Sequence, residues 1–553
     1  MRAPFVAGNL ESAANAYSGG DGMDTTYVPI GLPSGDLSAT RRERDWQELT
    51  STSPFDVVVI GGGITGTGVA LDAASRGLRT LLVERNDLAF GTSRWSSKLV
   101  HGGLRYLATG HVDVAWESAV ERGHLMTTIA PHLIRALPQI VPVMSDTSLG
   151  STALTRAGFL AGDALRAGAR TPTSTLPPAH WISKDKVRRL APHVDFAELR
   201  GGIMAWDGQL VDDARLVVAV ARTAASFGAT ILTHTEAIAV STTGVRLRNT
   251  LNGEECEVTS SNVIAATGVW AEELDPRVHV HPSRGTHVVL DAERLGNPRA
   301  ALTIPVADMS GRYCFLLPRP DRTVLAGITD VGVDAIDDVP RAPEDDISWI
   351  LEQVNRVLES PLTKEDVLGS FAGLRPLVTM SKDDSAGEET SDISRKHLVS
   401  RTPEGSIMIT GGKLTTYRRM AQDAVDLITD RPCRTTSIAL LGADPDLEPR
   451  APGFFDPDPW VMRYGAEADR VRALAPLLPD PSSAPNPVAD YTSVARVDIA
   501  HAFLHEGAVH ADDVISRRLR LDSVDADIPA ARAAVEEVMD ALASAGRLPA
   551  GAF

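Results

Sequence analysis

Gly61-x-Gly63-x-x-Gly66 is the first set of residues in the chain whose types and spacing suit a chemical task. Gly61 permits a tight turn, Gly63 lets the backbone approach a pyrophosphate, and Gly66 lets a helix pack closely on a strand. The amide end of the following helix adds partial positive charge for the phosphates. Glu84 stands 18 residues past Gly66, where a carboxylate can accept ribose hydroxyls. The pattern predicts dinucleotide binding. A second stretch, SRWSSKLVHGGLRY over 93–106, mixes basic, hydroxyl, imidazole and glycine residues and is unlike ordinary core. Cys256, Cys314 and Cys433 are far apart and odd in number, giving neither a disulfide framework nor metal-ligand spacing. No metal site is expected.

The elements that must position these residues begin at Phe55. Phe-Asp-Val-Val-Val-Ile (55–60) reads as a strand buried on both faces, Thr65–Arg76 as a helix stopped by Gly77, and Leu78–Glu84 as a second strand. A helix is expected over Val112–Ile129. A second βα pair is expected at Gly202–Trp206 and Asp212–Phe227, followed by strands at Thr230–Thr235 and Asn262–Thr267. Between Val278 and Thr329 the pattern turns to short strands. Tyr313–Leu317 and Thr323–Thr329 read as a hairpin in an antiparallel, substrate-facing sheet. Ser406–Thr410 is the last strand, and Gly411-Gly412 leads into a helix over Thr415–Thr429.

The domain reading follows. Residues 1–54 form a flexible N-terminal extension with a short helix near Arg41–Leu49. Residues 55–440 hold interleaved FAD-binding and substrate domains, the substrate sheet mainly in 278–400. Ten prolines between Pro445 and Pro487 mark a linker over 441–490, and 491–553 make a C-terminal helical domain. FAD is favoured over NAD because the fingerprint opens the fold, distant segments complete the sheet, and a late Gly-Gly turn enters another helix. An NAD enzyme more often continues with an unbroken series of βα units.

The 553 residues carry a net charge of −18, which argues against nucleic acid as a partner. No apolar run reaches 18 residues, so no membrane-spanning helix is expected. The opening MRAPFVAGNLESAAN lacks the pattern of a secretory signal. A cytoplasmic protein is expected, able to rest on the inner face of the membrane without crossing it. Arg517-Arg518-Leu519-Arg520 is one candidate contact, with a solvated helix face as its ordinary alternative.

IGGGITGTGVALDAASRG (60–77), TSRWSSKLVHGGLRYL (92–107), VDDARLV (211–217), GITDV (327–331), AGLRPLV (372–378) and GGKLTTYRRMA (411–421) together resemble FAD-dependent glycerol-3-phosphate dehydrogenase. The resemblance runs from about residue 55 into the C-terminal helices. It implies an α/β and α+β fold like that of amino-acid and sarcosine oxidases. A Rossmann-like FAD domain carries an antiparallel-sheet substrate domain, and a helical domain follows. It also implies oxidation of sn-glycerol 3-phosphate to dihydroxyacetone phosphate, with electrons passed to a quinone. A soluble oxidase that reduces oxygen to hydrogen peroxide is the alternative, and a homodimer is left open.

A phosphate monoester carries about −1.5 to −2 charges near neutral pH, so an acidic protein needs a local cationic pocket for it. In the family, residues matching Arg105, Tyr106, Arg375, Arg395 and Lys413 surround the substrate. His287, in GTHVVL, is favoured as the proton acceptor, and His101 as a residue beside the flavin. Asp330 either orients an arginine or acts on substrate. For FAD, Gly61, Gly63 and Gly66 are assigned to the pyrophosphate and Glu84 to the ribose. Thr92 and Ser93 fall along the diphosphate or ribityl chain, and Thr267 and Gly268 near the adenine half. Gly412, Leu414 and Thr415 are assigned to the flavin pyrimidine, whose carbonyls gain negative character on reduction.

Overall fold

The computed structural model describes residues 34–50, 53–103, 111–241, 243–306, 312–379, 396–402, 405–444, 452–453 and 457–548. Arg105, Tyr106 and Arg395 lie outside the described residues. Val57–Ile60 is buried at every position, as its β-branched run predicts, and lies inside a six-stranded sheet. From one edge the order is His397–Arg401, Ile407–Gly411, Val263–Ala265, Val57–Ile60, Thr80–Val83 and Thr230–Leu232. All pairs are parallel except the one made by His397–Arg401.

Helices Ile64–Ser75, Asp213–Ser226 and Tyr417–Val425 share one apolar core with this sheet. Against the other face, a three-stranded antiparallel sheet packs Val245, Leu247 and Val258 on Val58, Ile60 and Leu81. The small sheet was not foreseen, because its middle strand, GVRLRN, is short and apolar on one side only.

The second layer is a ten-stranded, mostly antiparallel sheet. The expected hairpin is present, with Phe315 opposite Gly327. His279–Asp291 pairs with Thr323–Gly327 on one side and Val367–Thr379 on the other. One element differs from the reading above. Leu199–Leu210 pairs antiparallel with Ile134–Met144 in this sheet and is not part of a second βα unit in the parallel sheet. Gly201 and Gly202 leave room for Trp181 and Ile140, a packing role that mimics a strand start in the sequence.

Residues 34–50 and 457–490 are built into the fold. Ala39–Glu48 is the predicted helix, capped by the Ser38 hydroxyl. Its buried Arg42 donates to the carbonyls of Thr233 (2.7 Å) and His234 (2.9 Å) and to Asn249 Oδ1 (2.9 Å). The Leu37 amide donates to the His505 carbonyl at 3.0 Å, tying residues 34–50 to the helical domain. Within the proline-rich stretch, Asp458 caps Pro459–Tyr464, and Tyr464, Val471, Leu474 and Leu478 enter the core of the C-terminal domain.

Arg517, Arg518 and Arg520 are buried, so they do not form the solvated or membrane-facing stretch suggested by sequence. Arg518 donates to both Asp87 oxygens (2.7 and 2.8 Å), Arg517 to Asp87 and Asp513, and Arg215 pairs with Glu506. Burying charges demands such pairing. The basic run is the seam between the helical domain and the FAD domain. Asp87, His234 and Asp513 converge there, with both carboxylates already matched to guanidinium groups.

Candidate active site

A cavity of about 1730 Å³ runs from the glycine fingerprint to the large sheet. That exceeds the roughly 300–1,000 Å³ of an ordinary ligand pocket and suits a dinucleotide plus a second, small ligand. Gly61 has φ +111°, and a Cβ there would come 2.5 Å from the Ala266 carbonyl oxygen. A Cβ on Gly66 would lie 1.9 Å from the Gly61 oxygen. Gly63 stands at the start of Ile64–Ser75 with no side chain of its own to cap it; instead the Ser93 hydroxyl accepts from the Ile64 amide at 2.9 Å. The Glu84 carboxylate accepts the amides of Gly62 (2.6 Å) and Asn86 (2.8 Å). Burial raises its pKa, and those two amides act against the rise.

Opposite the fingerprint, Gly411 and Gly412 have φ +77° and +71°, turning the chain into Leu414–Thr416 and then helix Tyr417–Val425. Two helix starts thus face one cavity, and both favour negative charge. Thr267 lines the cavity with a buried hydroxyl that has no hydrogen-bond partner, and Gly268 beside it has φ +58°. Thr92 also lines it, but its hydroxyl donates to the Leu374 carbonyl at 2.7 Å, fixing the two walls to each other. The glycine cradle, the orphaned Thr267 hydroxyl and the paired helix starts fit FAD.

The other end is built from side chains. Arg375 donates to the Thr329 carbonyl (3.1 Å), Ser283 Oγ (3.2 Å) and Asp330 (3.4 Å). Asp330 also accepts from Ser283, so of its two expected roles the geometry favours orienting the arginine. Gly285 makes room for that guanidinium: a Cβ there would lie 2.5 Å from Arg375 Nη2. Lys413 lines the cavity and donates to Ser118 at 2.6 Å, and His101 lines it beside Gly102-Gly103.

His287 does not line the cavity. It is 1% exposed, and its Nε2 is 2.9 Å from the hydroxyl of Ser97, which does line the wall. Burial first, then the charges of Lys98 and Arg375, hold its pKa well below the ordinary imidazole value.

Sequence reasoning missed three participants. Arg122 pairs with Asp207 at 2.7 Å, Asp207 accepts the Gly102 amide at 3.2 Å, and a Cβ on Gly102 would meet Arg122 Nη1 at 2.5 Å. This clamp holds the turn carrying His101. Arg122 stands on an amphipathic helix and Asp207 in a strand, where each reads as an ordinary surface charge. Ser97, the third, lies within the 93–106 stretch, and its partner His287 is 190 residues away in sequence.

A Rossmann-type cradle sharing one cavity with an antiparallel sheet defines an FAD-dependent oxidoreductase. Residues 56–418 match the family described as FAD dependent oxidoreductase, and residues 433–547 match that described as the C-terminal domain of alpha-glycerophosphate oxidase. Within this class, the chain belongs to the glycerol-3-phosphate dehydrogenase family. It is 48% identical over 500 residues to glycerol-3-phosphate dehydrogenase 1 of Mycobacterium tuberculosis, covering 89% of this chain and 96% of the relative. It is 33% identical over 588 residues to a mitochondrial glycerol-3-phosphate dehydrogenase of Arabidopsis thaliana, covering 96% of this chain and 89% of that one. The solved glycerol-3-phosphate dehydrogenase of Bacillus halodurans, complexed with FAD, superposes with a TM-score of 0.68 at 25% identity, covering 92% of this chain and 97% of that one.

Proposed function

We propose that this protein oxidises sn-glycerol 3-phosphate to dihydroxyacetone phosphate and passes the electrons to a quinone at a membrane surface. The observation that carries the reading is that Arg375 and Lys413 both line a dinucleotide-sized cavity in a chain of net charge −18. Bound FAD supplies the two-electron acceptor for the hydride from carbon 2.

The chain's own residues do the rest. Arg375, held from behind by Asp330, Ser283 and the Thr329 carbonyl, presents a fixed guanidinium to an oxygen of the ligand. Lys413 adds a second cation, and the resemblance assigns Arg105, Tyr106 and Arg395 to the same ligand. The departing hydroxyl proton needs an acceptor on the wall itself. His101 meets that condition and His287 does not, so we assign the role to His101.

The membrane reading moves from the buried arginines to another surface. Among the described residues no helix is long and apolar enough to cross a membrane. Helix Leu149–Gly168 borders the cavity through Leu154 and Phe159, yet leaves Leu149, Leu154 and Leu160 exposed by 84%, 75% and 57%. Trp181 is 47% exposed nearby, where the Ala179 amide donates to Asp163 of that helix at 3.0 Å. Residues 149–190 hold seven basic and two acidic side chains in an otherwise acidic chain. Exposed leucines on a helix that borders the cavity, within a basic stretch of the chain, support contact with an anionic bilayer.

The alternative oxidase reading draws on the C-terminal match, described by an oxidase. Anaerobic reduction of the yellow protein by sn-glycerol 3-phosphate, then reoxidation by a quinone analogue or by oxygen, tests both. Fast reoxidation by quinone and slow reoxidation by oxygen supports the dehydrogenase. Peroxide formed at the turnover rate without quinone would replace it with the oxidase.

A further inference from the structure

His287 lies two residues from Gly285, on the face of its strand that looks toward the cavity. Its direct neighbours across the sheet are Gly327 and Phe371. The imidazole stacks on Phe371, with 4.8 Å between ring centroids, and leans on Gly327, where a Cβ would come 2.7 Å from Cδ2. The segment Trp95–Ser97 then closes over this face: a Cβ on Gly373 would lie 2.2 Å from Trp95 Cβ. Among the described residues, the Ser97 hydroxyl, 2.9 Å from Nε2, joins the ring to the cavity wall.

Ser97 is held by its neighbours. The Ser96 amide and hydroxyl donate to Asp213 at 2.8 and 2.7 Å. Lys98 donates through its amide to Ser96 Oγ (3.0 Å) and through Nζ to Asp213 (2.6 Å) and the Arg94 carbonyl (2.8 Å).

The proton on the ring follows from what surrounds it. His287 Nδ1 is buried with no hydrogen-bond partner. A proton there would leave a buried donor unmatched, and orphaned N–H groups are rarer in proteins than under-used acceptors. A proton on Nε2 is matched at once by Ser97 Oγ. With that lone pair occupied, the serine hydrogen must turn away from the ring, and Ser97 lines the cavity where an acceptor on a ligand can meet it.

We propose that His287 keeps its proton on Nε2 and donates it to Ser97, so that the Ser97 hydroxyl donates a hydrogen bond to an oxygen of the bound polyol phosphate. Ser97 is the catalytic residue of the pair and His287 a positioning residue. The inference relies on the proposed function only for the identity of that ligand. The pair delivers a hydrogen bond and accepts no proton, because a charged imidazole would be buried beside Lys98 and Arg375.

The test compares variants that keep or remove the donor. H287Q retains an N–H for Ser97 and cannot take up a proton, whereas H287L offers nothing. With FAD content checked for each, flavin reduction by sn-glycerol 3-phosphate should slow about 100-fold in S97A and H287L. It should stay within about 10-fold of wild type in S97T and H287Q. Nitrogen-15 histidine NMR of the FAD-bound protein, with H287Q used for assignment, should show a neutral ring protonated on Nε2 from about pH 6 to pH 8. H287Q as slow as H287L, wild-type speed in S97A, or an Nδ1-protonated or charged ring would each overturn the proposal. If wild-type flavin is not reduced by this substrate, the proposed function fails, while the NMR result still decides the tautomer. S97A decides the catalytic claim should H287L not fold.

Discussion

The two ends of the cavity are made from different materials. The fingerprint end is backbone: glycines that admit no Cβ, helix-start amides, and one carboxylate fixed by two N–H groups. The substrate end is side chain. Arg375, Asp330, Lys413 and Ser97 come from separate strands and turns, each held by a partner far away in sequence, and His101 lines the wall beside them. Backbone chemistry is local, so a short motif announces it. Side-chain chemistry depends on which way each group turns, and that is settled by residues elsewhere.

If this contrast is correct, damage at the two ends separates cleanly. The largest effect belongs to Gly66→Ala, whose methyl would lie 1.9 Å from the Gly61 oxygen. The purified variant should lose bound FAD altogether, read from its visible absorbance. Retention of normal FAD would break the backbone half of the comparison. Arg375→Met should instead keep FAD and lose about 10³-fold in kcat/KM for sn-glycerol 3-phosphate, as expected for a desolvated charge contact. Asp330→Asn should cost less, about 10-fold, because Ser283 and the Thr329 carbonyl still hold the guanidinium.

The smallest effect is thermodynamic. The folded-state pKa of His287 lies below its unfolded value, so the unfolded chain binds more protons as the pH drops. Its contribution to stability is therefore complete above the ordinary imidazole range near pH 6.5 and is lost as the pH falls toward the lower folded value. Denaturant titrations across that window should show a shallower decline in H287Q than in wild type. Equal slopes would mean that the buried ring does not resist protonation.

The same contrast explains what could be read from the sequence. The strand–Gly cluster–helix unit, Glu84, the 313–327 hairpin and the late Gly411-Gly412 turn were legible, because their signals are contiguous. His287 drew notice through its strand-like GTHVVL segment and the family resemblance, but nothing near it in sequence reveals that Trp95–Ser97 would cover it. Arg517–Arg520 looked like a surface patch because Asp87 and Asp212 are more than 300 residues away. Leu199–Leu210 carried the composition of either sheet, and only its pairing with Ile134–Met144 decides between them. The Arg122–Asp207 clamp spans 85 residues and leaves no pattern at all.

The central claim is that a side-chain anchor around Arg375 presents sn-glycerol 3-phosphate to FAD held independently by the backbone cradle. Anaerobic titration of wild-type and Arg375→Met protein with that substrate, followed by flavin absorbance, tests it most directly. The account predicts full, rapid bleaching in wild type and an equally yellow variant that bleaches about 10³-fold more slowly. A variant that bleaches at the wild-type rate, or one that has lost its FAD, would contradict it.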